Sequence, residues 1–351
     1  MALPDVLRAL LCTHGTSGYE TAPAAAWRDA ASAFAGVRVD GMGNSYATVQ
    51  GTDGGLSLGI VGHIDEIGLI VTHIDDSGFL FFAPVGGWDP QILVGQRVTV
   101  TTRDGPVPGV VGKKPIHLLQ GDEREKGVKL KELHIDVGAA DGDEARGLVR
   151  IGDTAVITGD PVELRNGRVI ARAMDNRLGA FVAYEAARLV AEAGGSPGDV
   201  VGVAAVQEEI GLNGARTAAF SLRPDVAIVV DVTHATDAPG VDAKELGEHK
   251  LGSGPVIERG ATLNPAIYEL LHEVAEAEGI PVTVAASGRG TGTDADVVHL
   301  SRAGIPTTVI GIPLRYMHSP VEMVQVDDVL SCAALIAAFA QRLTAGTAFA
   351  R

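Results

Sequence analysis

An apolar run, Val-Val-Gly-Val-Ala-Ala-Val over residues 200–206, passes through Gln207 and ends on two adjacent acids, Glu208 and Glu209. The run is short, β-branched and apolar on both faces. That pattern predicts a strand buried on both sides, as in a parallel sheet covered by helices. The Ile-Gly-Leu-Asn-Gly-Ala-Arg that follows is a glycine-punctuated turn opening a helix. Two carboxylates are thereby delivered side by side at the carboxyl end of a central strand, where open α/β sheets build their sites. Buried like charges do not both stay ionised without a compensating cation. Either the pair points to solvent or a positive centre sits beside it, and a metal ion is the strongest candidate.

The texture on both sides of this run sets the fold class. Helices are expected over residues 3–12 and 21–35, with strands near 44–50 and 57–62. From Glu66 to about residue 163 no long helical pattern occurs. Short alternating runs such as Leu-Ile-Val-Thr-His and Gln-Arg-Val-Thr-Val-Thr are separated by Gly, Pro and Asp turns, the signature of a small antiparallel barrel or sandwich. After Arg172 the alternation returns. Helices are expected near 176–194, 213–219, 264–278, 295–303 and 326–345, and strands at 200–207, 225–231, 282–286 and 306–311. Spacing of this kind implies βαβ units. The expectation is one α/β domain with a mixed, largely parallel sheet flanked by helices, formed by residues 1–66 and 165–351. It is interrupted by a β-rich insertion over 67–164.

The net charge of −16 argues against nucleic acid or an anionic membrane as the main partner. No apolar run reaches the roughly 18 residues that span a bilayer. The first residues read as the start of an amphipathic helix, without the cationic lead and small-residue cleavage site of a signal peptide. Cys12 and Cys332 lack CxxC or CxxH spacing and are expected to be buried free thiols of a cytoplasmic protein.

Five segments place His, Asp or Glu at expected strand ends. In Gly-His63-Ile-Asp65-Glu66, His63 and Asp65 are two apart on an extended chain and point to one side, so Asp65 is placed to orient the imidazole. Alone, this tripeptide reads more readily as a polar surface turn. Asp175, in Ala-Met-Asp-Asn-Arg, precedes a helix and reads either as its N-cap or as a carboxylate shared by two cations. The remaining segments are the Glu208-Glu209 pair, Asp231 closing an apolar strand, and His318 in Arg-Tyr-Met-His-Ser-Pro. Together they offer two imidazoles and several carboxylates. Such an N/O donor set suits zinc, cobalt or manganese and lacks the thiolates of a structural zinc site. The donors exceed the needs of one tetrahedral ion and match a pair of ions about 3.5–4 Å apart.

The stretches GHIDEIG, ARAMDNRLG, VQEEIGLNGA, DVTHATD, GTGTDAD and RYMHSP, in this order and spacing, resemble the M42 family of metallo-aminopeptidases. That family includes glutamyl, leucyl and deblocking aminopeptidases and the tetrahedral TET peptidases. The resemblance covers essentially the whole chain. It implies a zinc-peptidase-like fold with a PDZ-like or barrel-like dimerisation insertion. It further implies that His63, Asp175 and Asp231 hold one divalent ion and Asp175, Glu209 and His318 the other, with Asp175 bridging. Glu208 would be the general base acting on the water between the ions, and Asp65 the partner of His63. The implied substrates are peptides with a free N-terminus. The implied assembly is a homo-oligomer of dimers, often a dodecamer.

His234 is left outside the ligand set, as a core or rim histidine, and Arg289 is assigned no role. Tyr316 and the Gly292-Thr293-Asp294 loop are candidate wall residues, although simple packing explains Tyr316 equally well. Three other readings remain open: a glycosidase using the paired glutamates, a related dinuclear hydrolase such as a carboxypeptidase or deacylase, and a scaffold whose ligands only staple the fold.

Overall fold

The computed structural model describes residues 2–349. Helices α1 (Asp5–Cys12) and α2 (Thr21–Ala31) lead into strands β1 (Gly36–Val39), β2 (Ser45–Val49) and β3 (Leu58–His63). The β-rich segment follows, with β4 (Gly68–Ile74), β5 (Leu80–Val85), α3 (Pro90–Leu93), β6 (Arg97–Thr102), β7 (Gly105–Gly112) and β8 (His134–Asp136). It closes with α4 (Gly142–Leu148), β9 (Thr154–Ile157), β10 (Val162–Glu163) and β11 (Arg168–Ala171). The chain then alternates through α5 (Met174–Glu192), β12 (Val200–Ala205), α6 (Asn213–Leu222), β13 (Val226–His234), α7 (Ala243–Leu246) and β14 (Val256–Gly260). Last come α8 (Pro265–Glu278), β15 (Thr283–Ser287), α9 (Ala295–Val298), β16 (Thr307–Leu314), β17 (Glu322–Gln325) and α10 (Val326–Ala340).

Eight strands form one mixed sheet in the order β1-β2-β12-β3-β13-β16-β14-β15. Its centre, β12-β3-β13-β16, is parallel throughout, and antiparallel pairing is confined to the flanks. Strands β3, β12 and β16 are buried at every position, as their unbroken apolar runs require. One face packs on α1, α2, α5, α8 and α10 around Trp27, Phe181, Leu271 and Phe339. The other face packs on α6 and α9 through Ala215, Ala218, Ala295 and Val298. The insertion is a closed barrel in the order β4-β5-β8-β7-β6-β9, filled by its own core of Leu69, Leu80, Val98, Val100 and Ile135. Of the two expected architectures, barrel or sandwich, closure selects the barrel.

Several expectations need correction. Helix α2 ends at Ala31, and residues 36–39 form an edge strand that was not anticipated. The helix expected over 295–303 is the single turn α9, and α10 stops at Ala340. Strand β14 was missed because only Val256 and Ile257 of Val-Ile-Glu-Arg-Gly are buried, and it meets β16 over just two residue pairs. Cys332 is buried, but Cys12 is exposed on the outer side of α1.

Two features bring the start of α5 to the end of β3. The first is a contact between glycines: a methyl group added to Gly62 would lie 2.2 Å from the Gly179 carbonyl carbon. No other residue type lets helix and strand approach so closely. The second is a buried ionic knot. Glu66, just after β3, accepts from Arg172 and, at 2.7 Å, from Arg177, and it also accepts the Gly15 backbone N–H. Arg177 is fully buried and donates to the carbonyls of Leu10, Thr13 and Ile64. The knot ties α1, the β3 exit and α5 into one unit.

Removing one member of such a network strands opposite charge in the interior. Glu66→Ala is therefore expected to lower unfolding free energy by about 3–5 kcal/mol. A shift of the urea midpoint at unchanged slope would register the loss, and an unaltered midpoint would show that the knot is dispensable.

Candidate metal centre

The predicted ligands come from five separate segments of the chain. His63 is the last residue of β3, and Asp175 lies at the entry to α5. Glu208 and Glu209 follow β12 after Gln207, whose φ of 57° turns the chain away from the strand. Asp231 lies within β13 rather than at its end, since pairing with β16 continues through His234. His318 lies in the loop after β16, itself at positive φ. The structure brings all five together.

Asp175 is free to serve the site because it does not cap the helix. Its backbone is extended (φ −78°, ψ 106°), and the peptide bond between it and Asn176 is cis. Asn176 takes the capping role: its Oδ1 accepts the Gly179 N–H at 2.8 Å, and its Nδ2 donates to the Val230 carbonyl at 2.8 Å. The two oxygens of Asp175 then face different imidazoles. Oδ1 is 3.3 Å from His63 Nε2, and Oδ2 is 3.3 Å from His318 Nε2.

Around His63 Nε2 stand Glu208 Oε2 at 3.6 Å and Asp231 Oδ1 at 4.0 Å. Around His318 Nε2 stands Glu209 Oε1 at 3.3 Å. The adjacent glutamates thus serve different imidazoles. Two groups, His63–Asp175–Glu209 and His63–Glu208–Asp231, each place three donor atoms within 4.8 Å of one another. Ligand atoms about 2.0–2.1 Å from a shared tetrahedral ion are separated by roughly 3.3 Å, which is the spacing found about Asp175. The residues present fit a pair of divalent ions, with Nε2 of both imidazoles and only oxygens besides.

The opposite ring nitrogens are engaged elsewhere. His318 Nδ1 is 2.9 Å from the Gly87 carbonyl, which the segment after β5 carries into the site. His63 Nδ1 is 3.3 Å from Asp65 Oδ1, close enough for an ion pair though off-line for a full hydrogen bond. Asp65 also has a task that its spacing from His63 did not reveal: its oxygens accept the backbone N–H groups of Glu208 (3.1 Å) and Glu209 (3.2 Å). One buried carboxylate therefore braces the imidazole from behind and holds the acidic pair in place.

The electrostatics follow from burying acids beside imidazoles. Burial pushes Glu208 up to about 9; Asp231, Asp294 and Glu209 reinforce the rise and His63 opposes it. Burial would likewise raise Asp175, but hydrogen bonding to His318 and His63 overrides it and holds that carboxyl well below the ordinary range. His318 is raised to about 11 by Asp175 and Glu209. Burial would lower His63, yet Glu208, Asp175 and Asp65 keep its proton affinity well above normal.

The other singled-out residues lie around this centre. His234 is exposed at the end of β13. Arg289 is exposed, and Tyr316 is 47% exposed at φ 62° beside His318. Within the 292–294 segment only Gly292 reaches the surface. Thr293 and Asp294 are buried at the start of α9, where Thr293 Oγ1 accepts the Ala295 N–H. Sequence reasoning missed Glu20 and Glu322, two buried acids within the field of the cluster, and took the buried Asp294 only as a wall residue. No pattern in the sequence separates them from surface acids.

Comparison with known proteins shows the family. The family model described as M42 glutamyl aminopeptidase matches residues 43–335. The lysyl aminopeptidase of Pyrococcus furiosus is 38% identical over 296 residues, covering 84% of this chain and 83% of that protein. The TET aminopeptidase structure from the marine sediment archaeon Thaumarchaeota archaeon SCGC AB-539-E09 has a TM-score of 0.91 and 37% identity, covering 97% of this chain and 96% of that one. The Pyrococcus horikoshii TET1 peptidase, a protein that assembles into a tetrahedron or a large octahedral shell, has a TM-score of 0.84 and 32% identity, covering 96% of this chain and 98% of that one.

Protons held by His63, His318 and Glu208 must leave when cations enter. Titrating the metal-free protein with a divalent ion at neutral pH is expected to release about three protons per chain, read by calorimetry in buffers of different ionisation enthalpy. The sign of the pH effect on stability also follows. His318 binds its proton to about 11 when folded, against about 6.5 in the unfolded chain. Its contribution is complete below pH about 6.5 and is lost as pH rises toward 11. The melting temperature of the metal-free protein should fall across that window, and a flat profile with no proton release would contradict this charge arrangement.

Proposed function

The chain belongs to the M42 family of aminopeptidases and is a hydrolase acting on peptides, and from that premise we propose that it removes residues from the free N-termini of peptides with two divalent ions. The observation that carries the proposal is the split of Asp175, one oxygen toward each imidazole. In this reading His63, Asp175 and Asp231 hold one ion, and Asp175, Glu209 and His318 the other. Zinc or cobalt, or manganese, suits the donor set. When bound, the ions would acidify a water between them and polarise the scissile carbonyl.

The chain's own groups do the rest. Glu208 stands 3.6 Å from His63 Nε2 and, among the described residues, pairs with no other imidazole. It takes the proton of the attacking water and returns it to the nitrogen of the leaving amine. Asp65 keeps Glu208 in reach by accepting its backbone N–H. Tyr316, exposed beside His318, forms part of the substrate wall.

The wider organisation belongs to the same proposal. Residues 1–66 and 165–351 would form the catalytic domain, and the barrel within 67–164 the dimerisation domain of a homo-oligomer. The tetrahedron or octahedral shell of the Pyrococcus horikoshii TET1 peptidase supports a homo-oligomer, and a tetrahedral dodecamer built from dimers is the form this reading favours. Among the described residues no helix is long and apolar enough to cross a membrane. A cytoplasmic site of action fits this reading.

Mutation of the two glutamates' neighbourhood separates binding from chemistry. Glu208→Gln is expected to reduce kcat on aminoacyl chromogenic substrates by about 10²–10⁴-fold while elemental analysis still finds two ions per chain. Asp175→Ala is expected to lose metal along with activity. Full activity in the first variant would remove Glu208 as the base, and full metal content in the second would remove Asp175 as the bridge.

A further inference from the structure

Glu322 is the first residue of β17, and 2% of its surface is exposed. Its two oxygens are used separately. Oε1 accepts the backbone N–H of His318 at 2.8 Å, and Oε2 accepts the backbone N–H of Asp175 at 3.1 Å. No lysine or arginine pairs with this carboxylate among the described residues' ion pairs.

The topology explains how one side chain reaches both. Strand β17 lies antiparallel to β11, with Ala171 opposite Glu322, and β11 runs directly into the segment that carries Asp175. On its other side Met323 exchanges two backbone hydrogen bonds with Arg315, at the exit of β16, three residues before His318. Glu322 therefore sits where the two backbones converge. The positive φ at His318 turns its N–H inward to meet Oε1.

Resting on the dinuclear reading above, we propose that Glu322 is a positioning residue that sets the spacing between Asp175 and His318 and thereby holds the ion site formed by Asp175, Glu209 and His318. Glu322 touches the other site only through the shared Asp175, whereas two residues of the Asp175–Glu209–His318 site hang on it. His63 is fixed by β3 and Asp65, and Asp231 by the ladder between β13 and β16. Loss of the clamp should therefore weaken the site that contains His318 far more than the other. A carboxylate is required because both backbone groups are donors. A glutamine can accept at one of them, and its NH₂ then opposes the other.

The test is a metal titration of metal-free wild-type and Glu322→Gln protein, full chain, with zinc against a chromophoric competing chelator. Wild type should bind two ions. The variant should keep one site within about threefold of its wild-type affinity and lose about 10–100-fold at the other, the usual consequence of removing a group that orients ligands. Cobalt substitution should show the loss of one of two ligand-field band sets. If the glutamine variant does not fold, Glu322→Asp keeps the charge but retracts both oxygens, and the same one-site loss is expected.

A purely structural role would lower thermal stability and weaken both sites together, and that outcome overturns the proposal. So does a variant that binds both ions as wild type does. A wild-type protein that fails to bind two ions overturns the dinuclear reading itself, so the two failures are distinguishable.

Discussion

The buried Arg172–Glu66–Arg177 knot is the interaction on which the site's assembly rests. Glu66 belongs to the segment that carries His63, and both arginines flank Asp175. The acids and imidazoles are thus supplied by segments that are also each other's ion-pair partners. Buried ion pairs are poor sources of net stability, because desolvation offsets much of their attraction. Their value here is geometric. Arg177 reaches three backbone carbonyls as well as Glu66, so it fixes where α1, the β3 exit and α5 meet before any cation contributes.

The carboxylates around the centre divide by what they accept. Asp175, Glu208, Glu209 and Asp231 turn oxygens toward the imidazoles. Asp65 and Glu322 accept backbone N–H groups of Glu208, Glu209, Asp175 and His318, with Asp65 also backing His63. Backbone amides are fixed dipoles and bind a buried carboxylate without adding charge to the site. The second group therefore positions the first while leaving its net charge for cations. The barrel contributes too, through the Gly87 carbonyl that orients His318.

Much of this was legible in the residues. The apolar runs at 200–206 and 306–311 became strands buried at every position, and the turn-rich stretch after Glu66 became a closed antiparallel barrel. The five ligands that the motif resemblance implied lie together in the fold. What misled was local chemistry with more than one solution. Asp175 before a helix looks like a cap, yet the neighbouring Asn176 caps and leaves the aspartate free. Strand β14 carries too few apolar residues to be seen without its partners.

The sequence by itself determined the fold class, the donor set and the order of the ligand-bearing segments, since periodicity and residue type act over a few neighbours. Tertiary structure alone decided which oxygen faces which imidazole. It also decided that Glu208 and Glu209 part company, and that Glu322 joins Asp175 to His318. Those outcomes depend on angstrom-scale distances between segments more than a hundred residues apart. Such distances are set by packing, by the Gly62–Gly179 contact and by which backbone amides remain to be satisfied in the interior.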